Sequence, residues 1–286
     1  MFKRILFLVV FFFPVITNAA SFSKGILWEI SSPNSKPSYL LGTMHSDDER
    51  ITRLADPVQQ AFEQANSFTG EVMMDMATIM TMSQMMYLTD GRQLKDIIGE
   101  QRYEQSAPYL MEYGIPEFMV GIMKPWAVAT TLSLPKPKSG QFLDLMLFQK
   151  ASAQGKALHG LERAEEQISV FDSMSEEDQI VMLDEALENY SQIPEMFQEF
   201  VDAYLDRDLA ALQSLNKKYM KDSNPDLAEH FEKKLLVKRN YLMVERMQVR
   251  LKEGKAFIAV GALHLPGDEG VLNLLLKRKY KIRVVY

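Results

Sequence analysis

The fold is decided by two stretches of sequence, Tyr39-Leu-Leu-Gly-Thr-Met-His45 and Phe257-Ile-Ala-Val-Gly-Ala-Leu-His264. Each is a short apolar run that ends in Gly-x-x-His and is followed closely by acidic residues and a predicted helix. Short apolar runs bounded by glycine are typical of buried strands. Because the pattern occurs near both ends of the chain, we expect the two strands to form two halves of one sheet.

Further runs predict the remaining elements. Predicted strands are Ile26–Ile30, Tyr39–Gly42, Phe68–Met73, Ala157–Leu161, Ala256–Gly261 and Ile282–Tyr286. Predicted helices are Asp56–Gln64, Gln141–Ala153, Ser175–Tyr190, Asp206–Tyr219, Pro225–Glu253 and Glu269–Lys277, and residues 134–140 form a loop. This order predicts a mixed α/β (α+β) fold, with a central mixed sheet from the N- and C-terminal strands and a long helical middle region.

Composition limits the function. The 286 residues are 47% hydrophobic and 24% charged, which is typical of a globular protein. Lys and Arg total 32 against 38 Asp and Glu, and this net charge of −6 argues against nucleic acid as a partner. Cysteine is absent, so disulfides, thiolate metal sites and cysteine nucleophiles are excluded. The chain also lacks Gly-x-Ser-x-Gly, His-Glu-x-x-His, P-loop and dinucleotide-binding motifs.

The N-terminus has the pattern of a secretory signal. Lys3 and Arg4 precede the apolar run Ile5–Ile16, and small residues follow at the expected cleavage site. The alternative is an uncleaved anchor, but the run is shorter than the roughly 20 residues that a spanning helix needs. We predict a signal peptide at residues 1–19, a single domain at 20–286, and a periplasmic or secreted protein with no stable membrane span after signal removal. The oligomeric state stays open.

Three residues form a candidate metal site. Glycine at the end of each quoted strand lets the backbone turn and project His45 or His264 into a cleft, where ligands gather in open α/β sheets. Glu71 ends a predicted strand and is either a surface carboxylate or the third member of this set. Two imidazoles and one carboxylate can hold a divalent ion and leave positions for water and substrate. His159 and His230 lack this context and are predicted to be structural or exposed.

Two polar residues interrupt the apolar face of the long predicted helix. Leu227, Phe231, Leu235 and Leu242 define that face, and Arg239 falls within it. Asn240 lies beside other apolar positions. A buried guanidinium needs an anionic partner. The pair therefore forms either a structural ion pair or a site that binds a carboxylate or stabilises an oxyanion.

These residues lie in an order that resembles the TraB/GumN family, which is related to the TIKI metalloproteases. The matching segments are Gly42–His45, Ala65–Asn66 before Glu71, Lys124–Trp126, Leu143–Asp144, Gly160–Glu162 with Glu166–Gln167, Arg239–Asn240 and Val260–Gly267. The resemblance covers essentially the whole chain after the signal. It implies a mixed α/β fold and a metal-dependent peptidase site built from the two histidines and Glu71, with Arg239 and Asn240 as the family's polar pair.

A methionine-rich segment lies between residues 73 and 86. Its members are Met73, Met74, Met76, Met80, Met82, Met85 and Met86. Clustered thioethers bind Cu(I), but methionine also fills irregular cores and lines adaptable peptide grooves. A flexible apolar helix that packs near the site is the favoured interpretation.

Two functional hypotheses follow. The first is an exported metal-dependent hydrolase that acts on a peptide or protein substrate. His45, His264 and Glu71 would hold a divalent transition metal such as Mn, Co or Zn. Glu71 would act as a ligand or as the general base, while Arg239 and Asn240 would orient substrate or stabilise the oxyanion. The second is a non-catalytic periplasmic binding protein for a peptide, haem or copper, which uses the methionine-rich segment.

Overall fold

The computed structural model describes residues 22–221, 224–225, 228–229 and 232–286. The predicted signal peptide therefore lies outside the described residues, as do Leu227, His230 and Phe231. No helix within the described ranges combines the length and the apolar character that crossing a membrane requires.

Six strands form one sheet in the order β4-β3-β5-β2-β1-β6. Their bounds are β1 Leu27–Ser31, β2 Ser38–Thr43, β3 Ser67–Val72, β4 Ala157–Glu162, β5 Ala256–Gly261 and β6 Lys281–Val284. Strands β2, β3, β4 and β5 are parallel to one another, whereas β1 is antiparallel to both β2 and β6. The predicted mixed sheet is confirmed.

The two quoted stretches lie side by side in this sheet. Strands β2 and β5 pair in parallel, with Gly42 opposite Val260 and Thr43 opposite Gly261. The Gly-x-x-His sequences are therefore offset by one residue, and both histidines follow strands that end at the same edge. The prediction that the repeated pattern forms two halves of one sheet is confirmed.

Helices connect the strands and fill the middle of the chain. Before β4 they are α1 Glu49–Thr52, α2 Asp56–Gln64, α3 Met76–Met85, α4 Leu94–Ile98, α5 Glu100–Glu112, α6 Glu117–Val120, α7 Pro125–Leu132 and α8 Leu143–Ala153. After β4 they are α9 Ala164–Asp172, α10 Glu176–Asn189, α11 Ile193–Leu205, α12 Leu209–Lys221, α13 Lys238–Glu253 and α14 Val271–Lys277. The mixed α/β fold class is confirmed.

Local sequence explains several helix boundaries. Pro57 occupies the first turn of α2, where its missing N–H costs no hydrogen bond. The side chains of Asp75 and Ser175 accept from the first-turn amides of α3 and α10. The predicted long helix over 225–253 is confirmed as α13 from Lys238 onward, but Glu232–Val237 winds as a π-helix instead. Arg239 and Asn240 consequently lie in the first turn of α13.

Apolar side chains form two clusters. One surrounds the sheet and includes Phe62 and Phe257, whose ring centroids lie 5.2 Å apart. The other lies among the helices of the middle region and includes Leu110, Trp126 and Leu183. Burial of these side chains supplies most of the driving force for folding. The single domain at 20–286 stays a prediction.

Candidate active site

The predicted site residues gather where parallel strands end. Glu71 lies near the carboxyl end of β3, His45 follows β2 by two residues, and His264 lies in the short 3₁₀ turn Ala262–His264 after β5. Arg239 and Asn240 reach this edge from α13. Carboxyl ends of parallel strands are the usual ligand-binding edge of such sheets.

Close packing requires the glycine of each Gly-x-x-His sequence. A β-carbon on Gly42 would lie 2.7 Å from Leu265 Cδ1 and 3.1 Å from the α-carbon of Ala262. A β-carbon on Gly261 would lie 3.3 Å from Glu71 Oε1 and 3.4 Å from His264 Cδ2. At both positions, the absence of a side chain therefore lets the neighbouring strand end and the site residues pack closely.

His264 is buried and held in one orientation. Its side chain contacts Asn240, with 2.6 Å between His264 Nδ1 and Asn240 Oδ1. Asn240 Nδ2 donates to the Glu269 carbonyl at 2.9 Å, so Oδ1 is the acceptor and His264 Nδ1 the donor. Burial lowers the pKa of His264, although the nearby Glu71 carboxylate opposes this. Nε2 of the neutral ring therefore carries a free lone pair.

Glu71 is fixed by three donors. Its Oε1 accepts from the Gly261 amide at 2.6 Å, and its Oε2 accepts from Gln167 Nε2 at 3.0 Å and Arg239 Nη2 at 2.7 Å. Burial alone would raise the pKa of Glu71, but His264, Arg239 and the Gly261 amide together outweigh it and hold the pKa below its usual value. Glu71 is therefore ionised at neutral pH, and Oε1 lies 3.7 Å from His264 Nε2.

Arg239 joins Glu71 to a second carboxylate. Its Nη2 donates to Glu162 Oε2 at 2.6 Å, and its Nε lies 3.0 and 3.1 Å from the two Glu162 oxygens. The Glu162 side chain is only 1% exposed. Gln167 also bridges the carboxylates, because its Nε2 donates to both. The guanidinium of Arg239 is thus engaged in positioning Glu71 and Glu162.

Sequence reasoning assigned no role to Glu162 or Gln167. Both lie within the segments on which the family resemblance is based, and that resemblance is the sequence feature that could have identified them. Lys124–Trp126, another segment on which the family resemblance is based, contacts Asp172. Lys124 and Trp126 both donate to this carboxylate, at 2.6 and 3.0 Å. These contacts tie α7 to the end of α9, the helix that carries Gln167.

His45 has a more open environment than His264. Its ring is exposed and stacks on Phe142, with 4.0 Å between ring centroids and 11° between planes. Desolvation by this packing lowers the pKa of His45, and the charges of Glu71 and Asp47 oppose the shift. Asp47 in turn accepts from the backbone amides of residues 138–140, which fastens the predicted loop 134–140 to the His45 segment.

Asp144 is a further residue of this edge that spacing did not identify. Thr43 Oγ1 donates to Asp144 Oδ1 at 2.7 Å. Burial and the charge of Glu71 together raise the pKa of Asp144 to about 6, against the opposing hydrogen bond from Thr43. In contrast to Glu71, none of the groups that shift the pKa of Asp144 is a cation.

Two groups of this site have the chemistry of metal ligands. His264 Nε2 and Glu71 Oε1 are both acceptors, and such a nitrogen–oxygen pair suits a divalent ion. Asn240 fixes the ring tautomer, as a partner behind a metal-binding histidine does. Within the described ranges, however, no three His, Cys, Asp or Glu side chains are arranged to hold a metal. Glu71 and His264 fit an ion, and His45 does not complete the set while it stacks on Phe142.

The other predicted residues have separate places. His159 lies on β4 with its Nε2 2.9 Å from Arg250 Nη1, which agrees with a structural role. The methionine-rich segment forms α3, whose ten residues include none that is buried. Met76 and Met80 are 72% and 54% exposed. Helix α3 begins five residues after Glu71 and packs against α9.

Comparison with known proteins gives distant relatives. The chain is 23% identical over 308 residues to the metalloprotease TIKI1 of Danio rerio, covering 90% of this chain and 62% of that protein. It is 22% identical to the metalloprotease TIKI2 of the same organism, covering 90% and 60%. An uncharacterised protein of Treponema pallidum is 22% identical, covering 95% and 89%.

The chain thus spans about three fifths of the length of the two TIKI proteins. No solved structure matches it significantly. The model of the TraB/PrgY/gumN family matches residues 26–284, which include every strand of the sheet and the whole candidate site. The chain belongs to the TraB/PrgY/gumN family.

Proposed function

We propose that the chain is an exported, metal-dependent hydrolase that cleaves peptide bonds in a peptide or protein substrate. Membership of the family and the names of the TIKI relatives support a hydrolase. The predicted signal peptide supports export to the periplasm or beyond. The observation that carries the proposal is the pair formed by His264 Nε2 and Glu71 Oε1, two acceptors 3.7 Å apart.

This pair is arranged to receive a cation. Asn240 keeps the His264 proton on Nδ1, so that a lone pair on Nε2 is directed to an ionised carboxylate. The two groups repel each other unless a proton or a metal ion lies between them. The lowered pKa of His264 disfavours the proton. A divalent ion such as Mn, Co or Zn satisfies both groups.

His45, Glu71 and His264 would hold this ion. His45 would first leave its stack on Phe142, a contact whose loss costs about 1 kcal/mol. When bound, the ion would polarise the scissile carbonyl and lower the pKa of a water molecule.

The chain's own residues prepare the site. Asn240 acts as a positioning residue because it fixes the His264 ring, and Arg239 has two roles, of which the first is to help keep Glu71 ionised. Nη1 of Arg239 has the weakest protein contact of the guanidinium nitrogens, because it lies as far as 3.4 Å from the Leu235 carbonyl. We propose that Nη1 stabilises the oxyanion of the substrate. Glu71 serves as a ligand or as the general base, and the metal content of Glu71→Gln distinguishes these roles.

Exposed methionines favour one alternative function. Met76 and Met80 present thioethers at the surface of α3, close in sequence to the site. Such groups suit a carrier for copper, haem or an apolar peptide that performs no chemistry. A carrier of this kind would lose its ligand in Met76→Leu/Met80→Leu and keep it in His264→Ala, whereas the hydrolase would behave in the opposite way.

The test uses the full chain, expressed with its own N-terminus and purified without chelators or metal-affinity tags. Mass spectrometry of the product reports signal cleavage, metal analysis reports the bound ion, and a library of peptides reports hydrolysis. We expect close to one ion per chain, with hydrolysis lowered by ~10²-fold or more in His264→Ala, since even partners behind a metal ligand contribute 10–100-fold.

His159→Ala is the matched control, because His159 lies on the same sheet but contacts Arg250. It should retain both metal and activity. Metal content and hydrolysis that are unchanged in both His45→Ala and His264→Ala would refute the proposed site.

A further inference from the structure

A second feature lies at the opposite edge of the sheet. An open depression of about 530 Å³ is formed where β2, β5 and β6 begin. Its walls come from the β1–β2 turn (Ser32–Ser35), the last turns of α13 (Gln248 and Lys252) and the segment Arg278–Tyr280 before β6. Helix α13 separates it from the candidate active site by about 20 Å, at 1.5 Å per residue from Arg239 to Lys252.

The depression is positively charged. Lys252, Arg278 and Lys279 line it, and none of the described residues in its lining is Asp or Glu. Five of the seven residues 277–283 are Lys or Arg and none is acidic. The chain as a whole carries a net charge of −6, so this concentration of positive charge is local.

The neutral polar groups of the depression bind one another. Tyr280 donates to Gln248 Oε1 at 2.9 Å, and the hydroxyls of Ser32 and Ser35 lie 2.9 Å apart. By contrast, none of the ion pairs recorded for the described residues involves the three cations. Arg278 Nη1 lies 3.5 Å from the Val244 carbonyl. The nearby Glu29 and Glu253 are paired with Arg283 and Arg250.

Helix ends explain only part of this arrangement. Cations are favourable at helix C-termini, which accounts for Lys252 in the last turn of α13 and Arg278 at the end of α14. Lys279 lies beyond α14 and lines the same depression. Three cations from two chain segments around one concave surface match a ligand with several anionic oxygens better than a single carboxylate.

We propose that this depression binds the phosphate group of a phosphorylated ligand, either a soluble phosphate monoester or a phospholipid headgroup. Arg278 supplies a planar fork of donors, and Lys252 and Lys279 supply point charges. The site is independent of the proposed hydrolase chemistry, because none of its lining residues contributes to the candidate active site.

The experiment uses the purified full-length product and two probes. Calorimetric titration with glycerol 3-phosphate, with glycerol as the blank, tests the soluble source. Sedimentation with vesicles of phosphatidylglycerol and phosphatidylcholine, against phosphatidylcholine alone, tests the lipid source. Each charge-assisted hydrogen bond removed should weaken binding about tenfold, so Lys252→Gln/Arg278→Gln should weaken it ~100-fold.

The control is Lys95→Gln/Lys217→Gln, which removes two exposed lysines elsewhere. Saturable binding of either probe that is lost in Lys252→Gln/Arg278→Gln and kept in the control supports the proposal, and the probe that binds identifies the source. Circular dichroism and the melting temperature verify that both variants are folded. If neither probe binds saturably, or if the two double variants bind equally well, the proposal is wrong.

Discussion

The two Gly-x-x-His segments, Gly42–His45 (the first corner) and Gly261–His264 (the second corner), share a sequence pattern and a sheet edge. They differ in what packs against them. The second corner is buried: His264 is 5% exposed and donates to Asn240 of α13. The first corner is open: His45 is exposed and stacks on Phe142, which precedes α8. The same local pattern therefore gives an immobilised ring in one place and an accessible ring in the other. The difference arises from the helix that each strand end meets.

The carboxylates of the two corners differ in the same way. Burial raises the pKa of both, but His264, Arg239 and the Gly261 amide lie against Glu71 and hold its pKa low. Asp144 has the Thr43 hydroxyl and its own backbone amide as donors, and its pKa is raised to about 6. Environments that separate the pKa values of two neighbouring carboxyls commonly give them different roles in catalysis. Arg239 is one of the groups that create this separation.

The largest expected effect comes from removing that arginine. Arg239→Met leaves Glu71 and Glu162 near each other without a cation, although the Glu162 side chain is almost fully buried. Loss of one partner from a buried ion pair costs about 3–5 kcal/mol. Urea unfolding at pH 7 should show a decrease of this size in the free energy of unfolding.

The control for this change belongs to the open corner. Arg50→Met removes the exposed ion pair with Asp48, close to His45, and we expect no measurable loss of stability. Equal losses in the two variants would contradict the contrast between the corners.

A smaller effect should appear in the pH dependence of Asp144→Asn. Because the pKa of Asp144 is raised in the folded state, the protonated carboxyl favours folding at low pH, and this contribution disappears as pH rises through about 6. Asparagine keeps an acceptor for Thr43 and cannot ionise. The variant should therefore gain about 1–2 kcal/mol relative to the wild type between pH 4 and pH 7, after allowance for partial exposure. Unfolding titrations at both pH values measure this, and a pH-independent difference would show that Asp144 is not desolvated.

The smallest expected effect is at Phe142. Phe142→Leu removes the ring stack but keeps apolar bulk, so stability should fall by less than about 1 kcal/mol. The pKa of His45 should rise towards its ordinary value, because the shielding face is lost. Histidine ring signals in an NMR titration report this shift, with His264 as the internal reference that should not move. A matching shift of His264 would indicate that the two corners are coupled.

Local sequence was sufficient for much of the fold. Asp56–Gln64 and Ala256–Gly261 have the predicted bounds, because proline at a helix start and an uninterrupted apolar run are strong local signals. The repeated pattern predicted that β2 and β5 belong to one sheet, but their direct pairing was not predicted. The interruption at Glu232–Val237 was not predicted, because helical periodicity does not distinguish a π-helix from an α-helix over so short a segment.

For the site, the repeated pattern predicted roles for both histidines, and the polar residues in an apolar helix face predicted roles for Arg239 and Asn240. The roles of Glu162 and Asp144 could not be predicted, since a carboxylate on a strand or in a first helical turn is ordinarily solvated. The roles of all three proposed metal ligands stay predictions until metal is measured.

The sequence by itself determined the strands, the shared edge on which His45 and His264 follow them, and the family. Those properties depend on local periodicity and on glycine spacing, which neighbouring residues carry. Only the tertiary structure decided which histidine is buried, which carboxylate receives Arg239 and where unpaired cations meet. Burial and Coulomb interactions depend on residues that are distant in sequence, such as Arg239 and Glu71, and only folding brings them within 2.7 Å.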